Sequence, residues 1–78
     1  MRPYKNASGK SGVVAYNIGE DRIEIKFKSG EVFCYTYQSA GSVTVEQMKT
    51  MALVGTRLST FISREKPQYE YRILSPVL

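Results

Sequence analysis

Residues 22–37 constrain the fold more than any other part of the chain. The first half of this segment alternates apolar and charged side chains in the order RIEIKFK, which is the period-2 pattern of a strand with one buried face. Ser29 and Gly30 interrupt the pattern, and β-favouring residues then resume it in the order VFCYTY. The segment therefore predicts a β-hairpin.

The length of the hairpin loop decides which side chains share a face. A two-residue loop needs positive φ at both Ser29 and Gly30, whereas a three-residue loop over residues 28–30 needs it only at the glycine. The longer loop gives the pairs Phe27–Glu31, Ile25–Phe33 and Ile23–Tyr35. One face of the hairpin then carries Ile23, Ile25, Phe33 and Tyr35, and the opposite face carries Glu24, Lys26, Cys34 and Thr36. The shorter loop would split the apolar side chains between the two faces. We therefore predict the three-residue loop.

One strand is predicted before the hairpin and two helices after it. Residues 13–18 (VVAYNI) form the first strand, so three short-connected strands give an antiparallel meander. Thr44 and Gln47 match a capping box at the start of the first helix, which is predicted to run to Val54 and to stop at Gly55. Its apolar stripe consists of Val45, Met48, Met51 and Ala52. A second, short helix follows and ends before Pro67. We predict an α+β domain with a three-stranded antiparallel β-meander, followed by two short α-helices packed on one face (βββαα).

The 78 residues suit a single small domain with ends of different character. Residues 1–11 are polar and basic and are predicted to be a mobile N-terminal arm. Residues 12–73 form the domain, and residues 74–78 are predicted to be a loose tail. Within the domain, residues 69–73 alternate again and form either a short edge strand or an extended segment.

The composition argues against most kinds of catalytic and metal site. The chain has no histidine and a single cysteine, Cys34, which removes the commonest general base, the commonest metal ligand and every Ser-His or Cys-His pair. We therefore predict no enzymatic activity, no metal and no cofactor. No apolar run approaches the roughly 20 residues of a membrane span and no signal sequence is recognisable, so we expect no membrane association and a cytoplasmic protein.

Short motifs spread over about residues 11–73 resemble a known family. They are Ser11-Gly12-Val13, Ala15-Tyr16, Phe27-Lys28-Ser29-Gly30, a Tyr-x-Tyr centre, Ser39-Ala40-Gly41, Val45-Glu46-x-Met48-Lys49, Ala52, Gly55 and Leu58-Ser59-Thr60-Phe61-Ile62. In order and spacing the chain resembles the KTSC domain, a small module named for the C-terminus of some lysyl-tRNA synthetases and also found as a stand-alone bacterial or phage protein. Counted from Gly30, the family's Tyr-x-Tyr pair falls on Phe33 and Tyr35, so phenylalanine replaces its first tyrosine. The resemblance implies a βββαα fold, no known catalysis and a suggested role in RNA binding.

The net charge of +4 is compatible with a polyanionic partner. The candidate phosphate-contacting residues are Lys26, Lys28, Arg57, Arg64 and Lys66, and RNA binding requires them to converge on one surface. The alternative is a solvated face, in which Glu24 counters Lys26 and Glu31 counters Lys28.

Tyr35 and Tyr37, with Phe33, are either base-stacking platforms or part of the core, and the predicted register favours the core.

Leu53 and Val54 fall off the apolar stripe of the first helix. They either pack under the C-terminal tail or form an exposed contact for a protein partner or a second copy of this chain. The predicted function is a non-enzymatic binding module that contacts RNA through a basic surface. The alternative is a protein-interaction or self-association module, and an enzyme is the least favoured interpretation.

Overall fold

The computed structural model describes residues 1–6, 9 and 11–74. Within these residues, five antiparallel strands lie in chain order across one sheet, and the helices are inserted between the fourth and fifth strands. The elements are β1 (Arg2–Pro3), β2 (Val13–Ile18), β3 (Arg22–Phe27), β4 (Glu31–Thr36), α1 (Tyr37–Ala40), α2 (Ser42–Val54), α3 (Leu58–Glu65) and β5 (Tyr71–Leu74). No helix among the described residues is both long and apolar enough to cross a membrane.

The central hairpin has the predicted register. Ile25 pairs with Phe33 and Ile23 pairs with Tyr35. Gly30 has a φ of 93°, and its N–H donates to the carbonyl of Phe27 over 2.9 Å. The three-residue loop is thus confirmed, because a positive φ is needed only where glycine stands.

The sheet is wider than the predicted three-stranded meander. The meander is present as β2, β3 and β4, but β1 pairs with β2 on one side and β5 pairs with β4 on the other. The fold is α+β with an antiparallel sheet, as expected. The corrections concern the number of strands and, among the described residues, the additional short helix α1 before the two predicted helices. The alternation over residues 69–73 therefore does mark an edge strand, whose pairing begins at Tyr71.

The core lies between the helices and the sheet face that carries Ile23 and Ile25. These two side chains are fully buried, as are Val45 and Met48 of α2 and Leu58 of α3. Full burial of each such side chain contributes roughly 1.5–3 kcal/mol. The predicted apolar stripe of the first helix is confirmed, because three of its members, Val45, Met48 and Ala52, are all buried.

The N-terminal residues differ from the prediction of a mobile arm. Arg2 and Pro3 pair with β2, and Tyr4 is a buried member of the core. The Tyr4 hydroxyl accepts a hydrogen bond from the backbone N–H of Leu58 over 3.3 Å. The buried side chain of Tyr4 thus holds the N-terminal residues against the core, next to the α2–α3 turn. Residues 7, 8 and 10 of the predicted arm, and residues 75–78 of the predicted tail, lie outside the described residues.

The helix starts also differ from the sequence prediction. The helix α2 begins at Ser42 after an N-cap at Gly41, so the predicted capping box at Thr44 is wrong. A capping box occurs instead at α1, where the Ser39 N–H donates to Thr36 Oγ1 over 3.1 Å and the Thr36 N–H donates to Ser39 Oγ over 3.0 Å. The predicted stop at Gly55 is confirmed by its left-handed C-cap conformation.

Candidate functional site at the groove between α2 and α3

The turn between α2 and α3 sets the geometry of the candidate site. Gly55 ends α2 with a φ of 84° and donates its N–H to the carbonyl of Met51 over 2.8 Å. Arg57 then takes a left-handed backbone conformation, with φ 67° and ψ 2°, immediately before α3. Two left-handed residues in close succession reverse the chain, so that α3 returns beside the end of α2.

A groove of about 380 Å³ lies where these two helices meet. Its apolar lining comes from Met51, Val54 and Phe61. The remaining lining residues are three threonines and three charged residues: Thr50, Thr56, Thr60, Arg57, Arg64 and Glu65. The groove therefore combines an apolar surface with hydroxyl groups and a net positive charge.

Arg57, the N-cap residue of α3, and Arg64, in the last turn of that helix, both line the groove. They are seven residues apart, which is about two helical turns and about 10 Å along the axis. Neither guanidinium forms an ion pair within the part of the chain that the structure describes, whereas Arg22, Arg72 and Lys49 each pair with a carboxylate. The two arginines are thus available to an anionic ligand.

A third basic residue, directly after α3, lines a different depression. Lys66 is the C-cap of α3, with φ 46° and ψ 54°, and lines a cavity with Phe33 and Tyr69. It is exposed and follows Arg64 closely. Lys66 therefore adds positive charge to the end of α3 without lining the groove.

The two lysines of the hairpin do not join the arginines. Lys26 pairs with Val32, so the alternation of the strand places it on the sheet face opposite to the helices. Lys28 lies in the β3–β4 turn and is exposed. The candidate basic residues therefore do not form the single surface that RNA binding by all five requires.

The carboxylates expected to counter these lysines bind other partners. Glu24 accepts hydrogen bonds from Asn17 Nδ2 over 3.0 Å and from the Tyr71 hydroxyl over 3.1 Å. Glu31 pairs with Arg72 at 3.3 Å. The predicted pairings of Glu24 with Lys26 and of Glu31 with Lys28 are absent among the described residues.

Tyr35 belongs to the core, as the register argument favoured. It is 2% exposed and lies in an aromatic cluster with Phe33 and Tyr69, at ring-centroid distances of 6.4 and 6.5 Å. Burial raises the pKa of its hydroxyl to about 12. A nucleobase therefore has no access to the face of this ring.

Tyr37 is exposed, but its hydroxyl is hydrogen-bonded. It begins α1, and its hydroxyl donates to Glu46 Oε2 over 2.6 Å. That hydrogen bond raises the pKa of the Tyr37 hydroxyl, and Lys49 Nζ lies 5.6 Å from the ring centroid. The lysine also pairs with Glu46 at 2.7 Å. Tyr37 is thus one part of a three-residue surface network and does not provide a free stacking platform.

Leu53 and Val54 are both exposed, at 59% and 57%. Packing under the C-terminal tail is not observed for residues 71–74, because these residues form the edge strand β5. Val54 lines the groove together with Arg57 and Arg64. Residues proposed separately for RNA and for protein contacts thus meet at one site.

The environment of Cys34 disfavours its thiolate form. Cys34 is buried on the sheet, and burial raises the pKa of its thiol, which is opposite to the shift that activates a cysteine. The described part of the chain contains no cluster of three or more side chains suited to bind a metal.

Sequence reasoning found the arginines of the groove but missed the groove itself. Phe61 is half-buried and packs against the core from the edge of the groove, and the sequence pattern alone gives no role to Thr60 or Glu65. The signal was available in the spacing of Thr60, Phe61 and Arg64, which places them on one face of a helix after Arg57. The residues that α2 contributes to the groove are brought there by the turn at Gly55, so they could not be derived from local spacing.

Comparisons of the chain with protein-family models, with curated proteins and with solved structures find no match. The resemblance to the KTSC domain therefore stays a prediction that rests on the sequence motifs.

Proposed function

We propose that this protein is a non-enzymatic binding module that holds RNA at the groove between α2 and α3. The observation that carries the proposal is the placement of Arg57 and Arg64 on one groove, with neither side chain in an ion pair among the described residues. A guanidinium binds phosphate through two parallel hydrogen bonds, and it is less strongly hydrated than an ammonium group. The net charge of +4 adds attraction at longer range.

The sequence motifs support the same proposal independently of the groove. The KTSC domain, which the chain resembles, has a suggested role in RNA binding. This chain has Phe33 where the family has its first tyrosine, and Phe33 is not among the residues that line the groove. The proposal places the protein in the cytoplasm of a bacterium or in a phage-infected cell. It assigns no role in base stacking to Tyr35 or Tyr37, because one ring is buried and the hydroxyl of the other binds Glu46.

Two double variants with the same charge change test the location of the site. Arg57→Glu/Arg64→Glu removes the groove cations, and Lys26→Glu/Lys28→Glu removes the hairpin cations. Each substitution changes the charge by −2, so each pair lowers the net charge from +4 to 0. Fluorescence polarisation with labelled single-stranded and structured RNAs at low salt measures the affinity of each protein.

We expect the arginine pair to abolish measurable binding and the lysine pair to weaken it only through the loss of net charge. Equal losses in the two double variants would show that binding depends on charge alone and would contradict a site at the groove. No binding by the unmodified protein at low salt would refute the RNA proposal itself.

A second function, self-association or binding to a protein, is favoured by the exposure of Leu53 and Val54. Two adjacent exposed aliphatic side chains are typical of a contact surface. Sedimentation velocity over a range of concentrations tests this alternative, with Leu53→Glu as the variant and Val43→Glu, at another exposed position of α2, as its control. A concentration-dependent mass that only Leu53→Glu removes would support it, and a constant monomer mass would argue against self-association.

A further inference from the structure

We infer that the groove accepts one unpaired nucleobase, with Arg57 and Arg64 holding phosphates on either side of it. The inference rests on the proposed function and adds to it the class of RNA, which is single-stranded. A base that remains stacked in a duplex cannot enter a groove, whereas a base in a loop or a single strand can turn outward.

The size of the groove suits one base. Its volume of about 380 Å³ lies at the lower end of the roughly 300–1,000 Å³ of small-molecule sites. The apolar surface comes from Met51 and Val54 on one helix and from the half-buried ring of Phe61 on the other. Such a surface favours an apolar ring face, and contact between a base and an aromatic side chain needs no particular sequence.

The distance between the arginines suits a nucleotide with a phosphate on each side. Their attachment points are about 10 Å apart along the helix axis, and both side chains line the groove. One guanidinium then neutralises the phosphate that precedes the bound base, and the other neutralises the phosphate that follows it. This arrangement fixes the position of the backbone without reading the sequence.

A carboxylate in the groove can distinguish cytosine from uracil. The Glu65 carboxylate lines the groove and has no hydrogen-bond or ion-pair partner within the described part of the chain. A carboxylate accepts a hydrogen bond from an exocyclic amino group such as N4 of cytosine. Uracil carries a carbonyl oxygen at that position, so we expect cytosine to bind more tightly than uracil.

The first test varies the RNA. Fluorescence polarisation compares a short oligocytidine, the same strand with one central abasic nucleotide, an oligouridine and a duplex of equal length. We expect roughly tenfold weaker binding for the abasic strand, as the loss of one stacked base predicts, and still weaker binding for the duplex. Glu65→Gln should remove the preference for cytidine over uridine.

The second test fills the groove without touching the arginines. Thr60→Phe places an aromatic ring in the groove, and Ser63→Phe places the same ring on α3 at an exposed position that does not line it. Both residues are exposed, so both variants should fold, which circular dichroism verifies. We expect Thr60→Phe to lower the affinity for single strands to that of the duplex, and Ser63→Phe to leave it unchanged.

The outcomes separate this inference from the proposed function. If the intact and abasic strands bind equally and Thr60→Phe has no effect, while Arg57→Glu/Arg64→Glu still abolishes binding, the base site is refuted and RNA binding stands. If none of the RNAs binds, both are refuted. Tight binding of an oligoglutamate peptide in place of RNA would also overturn the inference and identify the groove as a site for acidic protein segments.

Discussion

At the scale of single residues, Arg57 and Lys66 have a left-handed backbone conformation that residues other than glycine rarely adopt. Their φ angles are 67° and 46°. The left-handed conformation costs an L-residue roughly 1–2 kcal/mol, so the surrounding structure must stabilise it. At Arg57 this strain accompanies a side chain that lines the groove, which links the unusual backbone to the proposed site.

Replacement by glycine should separate stability from binding at Arg57. We expect Arg57→Gly and Lys66→Gly each to raise the free energy of unfolding by about 0.5 kcal/mol, because relief of the strain exceeds the entropy that glycine adds to the unfolded chain. Urea unfolding measures this change. Arg57→Gly should also weaken RNA binding. A loss of stability in both variants would contradict the strain argument.

The buried hydroxyl of Tyr35 predicts a dependence of stability on alkaline pH. Burial raises its pKa to about 12 in the folded protein, whereas an exposed tyrosine has a pKa of about 10. The neutral form is therefore favoured by folding, so this stabilisation is complete below about pH 10 and is lost as the pH rises towards 12. We expect Tyr35→Phe to reduce the fall in unfolding free energy over this range. An equal fall in the variant would show that other groups cause it.

At the scale of elements, the first strand and the start of α3 depend on each other through Tyr4. Its hydroxyl is the acceptor for the N–H of Leu58, one of the backbone donors that a helix start leaves without an intrahelical partner. Lys5, which follows Tyr4, lies against Gly55, where any side chain would collide with it. The N-terminal residues thus hold the α2–α3 turn in place.

Removal of one hydroxyl tests this coupling. We expect Tyr4→Phe to lower the free energy of unfolding by about 1–2 kcal/mol, because a buried N–H loses its acceptor. Tyr16→Phe is the matched control, since Tyr16 is equally buried and has no hydrogen bond from its hydroxyl among the described residues. Chemical denaturation measures both variants, and similar stabilities would show that the bond to Leu58 contributes nothing.

The elements that the sequence predicts well are those whose signals are local. The register of β3 and β4 follows from the alternation of apolar residues and from the position of Gly30, both within one hairpin. The strand β1 has only two residues, one of them a proline, and forms because Tyr4 is buried by residues far along the chain. The capping box at Thr44 failed because Gly41 begins the helix earlier, although the Thr44 motif is locally sound.

At the scale of the whole molecule, the sheet separates the basic residues into groups. The helices cover one face of the sheet and carry Arg57, Arg64 and Lys66, while Lys26 projects from the other face. The sequence predicts the basic residues but not their separation by the sheet, because that separation arises from the packing of α3 on one face. The division makes the location of an anionic ligand testable, since each group can be changed without touching the other.

The salt dependence of RNA binding, measured for neutral variants, tests the central claim most directly. The slope of log K against log salt concentration falls by about 0.7 for each cation that contacts a single-stranded phosphate. For Arg57→Gln/Arg64→Gln we predict a slope smaller by about 1.4 than that of the unmodified protein, and for Lys26→Gln/Lys28→Gln an unchanged slope. A slope that falls only in the lysine variant, or equally in both, would contradict the claim that RNA is held at the groove between α2 and α3.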